Sequence, residues 1–191
     1  MFFVAALLAA VVTVPLWGGR VRALAEVELK WGWALFAAIG IQIVIISILP
    51  KSDGPDRIAH VVSYAFAAVF IVANMRIPGL WIICLGGLMN VAVIVANGGV
   101  MYGSAAAFRS AGVHITGSHF SNSISVAHPK LAFLGDLWSI PASVPFATTL
   151  SIGDIVIAFG AFVLVHGLCG SRLFPRWLEL PRIRREVAAA A

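Results

Sequence analysis

The chain has 191 residues, of which 61% are hydrophobic and only 11% charged, and its formal net charge is +5. Globular chains average about 25% charged residues, so no soluble domain fits beside an apolar bundle, and one small helical domain is expected. A basic excess in a soluble chain would suggest nucleic acid, but here the charges punctuate apolar runs, and no nucleic-acid partner is expected.

Five apolar runs follow one another: Phe2–Trp17, Trp31–Leu49, Ile58–Ala73, Pro78–Ala96 and Ser151–Cys169. A bilayer core of roughly 30 Å takes about 20 apolar residues in helical form, and lipid offers no partner to a bare peptide group. The expectation is therefore an all-α, polytopic transmembrane bundle of about five spans forming a single membrane domain over residues 1–191. Residues 97–150 would form a long extracytoplasmic cap between spans four and five, and residues 170–191 a cytoplasmic basic tail.

The connections support this parsing. Residues 18–30 are charged, and 50–57 (PKSDGPDR) carry the Pro, Gly and Asp of a tight loop. Asn74, Arg76, Pro78 and Gly79 make a short turn. The cap is too long for a simple connector and too rich in Phe, Leu and Trp for disorder. A short helix is expected near Ser104–Ala111, and an interfacial or re-entrant piece around Leu131–Phe146.

Basic residues orient such a bundle. With the N-terminus outside, nine of the thirteen (Arg20, Arg22, Lys30, Arg76, Arg172, Arg176, Arg182, Arg184 and Arg185) lie inside, against Lys51, Arg57, Arg109 and Lys130 outside. The expected setting is a bacterial inner membrane, with the C-terminal tail inside against anionic headgroups. The lipid bilayer and protein partner subunits are the expected partners.

Polar residues within apolar runs are the candidate binding positions. His60, Ser63 and Tyr64 share a helical face, with Asn74 near it. Asn90 and Asn97, seven apart, share another face with Gly86. Interhelical hydrogen bonding explains both stripes more economically than a ligand pocket. Gly153, Gly160 and Gly167 recur at heptad spacing and predict close helix packing. Asp154 completes a Ser151-x-x-Asp154 capping box, whereas Asp136 has no such local role. The two carboxylates form the candidate acid/base or metal pair, with His128 or Lys130 nearby. No nucleophile elbow, phosphate loop or metal template is present, and the spacing of His114, His119 and His128 matches no zinc site. Cys84 and Cys169 read as small core residues. Neither a cofactor nor a metal is expected.

Several words occur in a characteristic order: GGR after the first run, Asn74-x-Arg76-x-Pro78-Gly79-Leu80, Asn90 through Asn97-Gly98-Gly99, Leu131-Ala132-Phe133-Leu134-Gly135-Asp136 and Ser151-Ile152-Gly153-Asp154. This order resembles a bacterial polytopic inner-membrane family catalogued only as a domain of unknown function. The resemblance covers most of the chain except Val100–His128. It implies the same architecture and brings no activity.

Small size, the glycine stripe and the missing catalytic signature favour a non-enzymatic integral membrane protein, an accessory or structural subunit of a larger complex. The alternative is a small transporter or lipid-binding protein, although five spans divide badly into repeats. A second alternative is an enzyme acting at the outer face through Asp136 and Asp154.

Overall fold

The computed structural model describes residues 2–47, 55–112 and 123–175. Six α-helices lie among them: α1 (Phe2–Thr13), α2 (Gly32–Ser47), α3 (Pro55–Ala73), α4 (Leu80–Ala96), α5 (Ala105–Ala111) and α6 (Ile152–Leu168). Four short strands join them: β1 (Met101–Tyr102), β2 (Ser123–Ile124), β3 (Trp138–Ile140) and β4 (Thr148–Leu150). The chain divides into two compact units, one comprising 1–30, 71–85 and 156–191, the other 31–70 and 86–155.

In the first unit, Pro15 removes a backbone donor just after α1, and the chain tightens into a 3-10 turn over Val14–Trp17 that ends on left-handed Gly18. Two main-chain bonds fasten this entry to the chain beyond α6. Arg20 N–H donates to the Cys169 carbonyl at 2.8 Å, and Arg172 N–H to that of Trp17 at 3.0 Å. Ala10, Val14, Val165 and Cys169 form one buried cluster, and Ile77, Leu80 and Leu168 another. Gly79 has two reasons to be glycine. Its φ is +80°, and a Cβ there would stand 2.6 Å from the Leu164 nitrogen. A Cβ on Gly160 would stand 2.7 Å from the Ile83 nitrogen, so α6 meets the start of α4 backbone to backbone.

In the second unit, α3 and the end of α4 supply a core in which Tyr64, Tyr102 and Leu134 pack on Val93, Ile94 and Met101. Asn97, Gly98 and Gly99 end α4: both glycines have positive φ, and Gly99 N–H returns to the Ile94 carbonyl at 2.8 Å. The described residues between 97 and 150 then fold as a small mixed structure. β1 pairs in parallel with β2, β3 antiparallel with β4, and α5 begins on Ser104, whose hydroxyl accepts from Ala107 N–H at 3.1 Å.

The expected all-α bundle of about five membrane spans is overturned. None of the described helices is long and apolar enough to cross a membrane. α1, α2, α4 and α6 have 12, 16, 17 and 17 residues; at about 1.5 Å per residue they reach about 18–26 Å, against roughly 30 Å of hydrocarbon. α3 has 19 residues but opens on Pro55, Asp56 and Arg57, which shortens its apolar part. Pro15 and the Pro78-Gly79 turn remove residues that the apolar runs had included. The strands of the cap correct the all-α assignment. The basic tail from Arg176 onward lies outside the described residues.

Candidate functional site

Asp154 stands in the first turn of α6 and forms a closed ring with Ser151 and Asn90, all within the second unit. Ser151 N–H donates to Asp154 Oδ2 at 2.9 Å, and Asp154 N–H donates to Ser151 Oγ at 3.0 Å. The Ser151 hydroxyl donates to Asn90 Oδ1 at 2.9 Å, and Asn90 Nδ2–H to Asp154 Oδ1 at 2.8 Å. The capping pair thus becomes an interhelical tie, made possible by Gly153: a Cβ there would lie 2.8 Å from the Gly86 carbonyl oxygen. Asn90 and Ser151 are buried, and both oxygens of Asp154 are engaged.

Asp136 is 5% exposed and joins three pieces of the cap. Its N–H donates to the Tyr102 carbonyl at 2.8 Å and its own carbonyl accepts from Ser104 N–H at 3.0 Å, beside a bridge to Gly103. Its Oδ2 accepts from the hydroxyls of Ser123 at 2.6 Å and Thr149 at 2.9 Å. Burial pushes the carboxyl above the usual carboxylate range, the two hydroxyls pull it down, and Asp154 pushes it up further. Tyr64 feels both carboxylates: burial first, then Asp154 and Asp136, push its phenol up to about 12. The structure therefore brings Asp136, Asp154, Asn90 and Tyr64 into one electrostatic neighbourhood.

The remaining candidates lie elsewhere. Asn97 holds the main chain of Lys130 with both ends of its amide, accepting from Lys130 N–H and donating to its carbonyl, each at 2.9 Å. Asn74 treats Lys30 the same way in the first unit, at 3.0 and 2.8 Å. An amide matched to a main-chain N–H and C=O acts like one rung of a β-ladder. Gly160 meets α4 as described, and Gly167 is buried. His60 is on α3, but its side chain is outside the described set, as are His114 and His119. His128 is exposed. No group of three or more potential metal ligands occurs among the described residues.

Two polar arrangements have partners that the sequence did not reveal. Gln42 donates to the buried Ser63 hydroxyl at 2.6 Å, and both line an open pocket of about 380 Å³ with Leu35, Ala38, Ile39, Tyr64 and Ala67. In the first unit, His166 is fully buried between Thr13, at 3.1 Å from Nε2, and Ser171, at 2.8 Å from Nδ1. The Thr13 hydroxyl spends its proton on the carbonyls of Ala9 and Ala10, so it accepts from Nε2–H. Nδ1 is then bare and accepts the Ser171 hydroxyl. Both were hidden because a single polar residue in an apolar run looks the same whether its partner is near or distant.

These networks chiefly position backbone. Both oxygens of Asp154 and one oxygen of Asp136 accept from donors of the fold, and neither Ser151 nor Ser171 is open to a substrate. The family of unknown function DUF5317 matches residues 26–166, and the chain belongs to that family. No curated protein and no solved structure gives a match.

Proposed function

We propose that this DUF5317 member is a non-catalytic accessory or structural component of a larger bacterial membrane assembly, working in contact with a lipid bilayer. The observation that carries this reading is the apolar exterior. Leu16 is 77% exposed, Phe36 74% and Val72 72%, and α1, α2, α3, α4 and α6 all present further large apolar side chains. Scattered apolar residues are ordinary on a protein in water, but large contiguous patches call for lipid or a partner. The burial of Asp136 and the engagement of Asp154 by Asn90 and Ser151 favour a scaffold over the enzyme alternative.

The test is fractionation of cells producing the full chain, followed by mild-detergent extraction and native mass spectrometry. Recovery with membranes, in a defined assembly larger than one copy, is expected. A lone chain recovered from the aqueous fraction would refute the proposal.

The largely apolar open pocket that Gln42 and Ser63 help to line favours a second reading as a lipid-binding protein. That reading expects a lipid retained by the wild type and lost from Ala38→Trp, which fills the pocket. Equal lipid retention by both would remove it.

A further inference from the structure

Three non-glycine residues among those described have positive φ: Trp31 at +55°, Leu131 at +53° and Phe146 at +69°. This backbone region is uncommon for any side chain and a marked outlier for bulky ones. All three are large and apolar, and all three are exposed. Two of them, Leu131 and Phe146, bracket the part of the cap that holds β3 and leads into β4.

The same stretch carries the cap's other outward apolar groups. Phe133 is 65% exposed and Phe146 53%, with Leu137, Trp138 and Val144 also exposed. Their backbone is held from beneath. Asn97 grips Lys130 immediately before Leu131, a 3-10 turn follows over Ala132–Leu134, and Asp136 ties the next residues to β1, β2 and β4. Ala142 N–H closes onto the Ser110 carbonyl of α5 at 2.8 Å. An anchored frame thus presents aromatic groups outward in place of folding them inward.

The charges say what such a face meets. Residues 97–150 contain one acidic residue, Asp136, and it is buried. Arg109 and Lys130, the basic residues of the same stretch, are exposed, as is His128. Aromatic groups with exposed positive charge, and no exposed negative charge, match the headgroup layer of an anionic bilayer. We propose that the Leu131–Phe146 face of the cap is a docking surface for anionic phospholipid, with Phe133, Trp138 and Phe146 among the acyl-chain ends nearest the headgroups and Lys130 and Arg109 on the phosphates. This deepens the membrane-contact reading and rests on it.

The test places nitroxide labels singly at Phe133→Cys, Phe146→Cys and, on α2, Phe36→Cys, in the full chain with Cys84→Ala and Cys169→Ala. The chain is reconstituted in vesicles of phosphatidylcholine alone or with phosphatidylglycerol. Collisional relaxation by oxygen reports lipid, and by a water-soluble nickel chelate reports water. Oxygen-dominated relaxation at 133 and 146 that strengthens with phosphatidylglycerol is expected. The unlabelled double variant Arg109→Gln, Lys130→Gln should lose about five-fold in preference for anionic over neutral vesicles for each charge removed.

Nickel access at 133 and 146 with oxygen access at 36 would overturn the cap surface alone. Nickel access at all three would overturn the membrane reading as well. Labels at 133 and 146 shielded from both relaxants would place a protein, either a second copy or another chain, on this face, and would also overturn it. Equal relaxation in both lipid mixtures would refute the anionic class.

Discussion

Asp136 is where one substitution separates structure from chemistry. Asp136→Ala deletes the acceptor of the Ser123 and Thr149 hydroxyls, at 2.6 and 2.9 Å, in a place that water barely reaches. Stranding a buried donor costs about 1–3 kcal/mol, and a bond to a charged group carries about 1.5–3 kcal/mol. Removing the buried charge returns part of this, leaving a net loss of about 2–3 kcal/mol. For a chain of this size that corresponds to roughly 4–12 °C in melting temperature. Asp136→Asn keeps one oxygen acceptor and no charge, and should melt within about 2 °C of the wild type. Acid adds a second signature. The folded carboxyl titrates above 3.8, its ordinary value, so the folded state binds its proton first. The cost of the buried charge, present above the folded pKa, is relieved as pH falls through it toward 3.8. Wild type should therefore gain stability relative to Asp136→Asn over that descent. The assay is tryptophan-fluorescence melting of the full chain in one detergent at stepped pH. An Ala variant as stable as wild type, or an Asn variant whose stability difference from wild type does not change with pH, would refute the reasoning.

Gly160→Leu drives a side chain into the Ile82–Ile83 backbone and should cost about 1–3 kcal/mol or prevent accumulation, while the neighbouring exposed Phe159→Leu is tolerated; equal recovery of the two would show that α6 does not pack there. Asn97→Ala removes both bonds to the Lys130 main chain, so amide exchange at Lys130 should accelerate at least ten-fold, about 1.4 kcal/mol of lost protection. Unchanged exchange would show that the clamp is idle. His166 is buried neutral, and burial pulls its pKa below 6.5. From about pH 6.5 downward the unfolded chain takes a proton that the folded chain refuses, so stability should fall by up to about 1.4 kcal/mol per pH unit. His166→Gln should flatten this slope, which runs opposite to that of Asp136, and a slope identical to wild type would assign it to another group.

The apolar runs marked where helices form because helices need lengths of consistent apolar character: α1, α2, α4 and α6 begin within them, and α3 begins three residues ahead of its run. Run length misjudged what those helices reach. It counted Trp17 beyond the Pro15 break and Pro78-Gly79 before α4, residues that the backbone spends on turns. The cap's strands were illegible, because two or three residues cannot display a period of two. Ser104 was legible as a helix start, and Ser151 with Asp154 as a local cap, because both act within four residues. The closing of that cap by Asn90 was not, since it spans 64 residues and depends on the missing Cβ of Gly153. The partners of Asp136 were equally hidden: Ser123 and Thr149 are ordinary hydroxyls until the chain brings them to one carboxylate.

Three of the five words that carried the family resemblance acquire a common meaning from these contacts. Asn97-Gly98-Gly99 ends α4 and seizes Lys130. Phe133-Leu134-Gly135-Asp136 makes the turn after that anchor, and its aspartate bolts the turn to β1, β2 and β4. Ser151-Ile152-Gly153-Asp154 ends the cap and ties the start of α6 to Asn90, two helical turns before Asn97 on α4. Each word therefore supplies one fastening of the cap within the second unit, and none opens a polar group to a substrate. A sequence that concentrates its most recognisable residues in the fastenings of one loop structure is committed to the surface that structure presents. That commitment supports the proposed lipid-docking role of the outward face between Leu131 and Phe146 over a role for the buried carboxylates beneath.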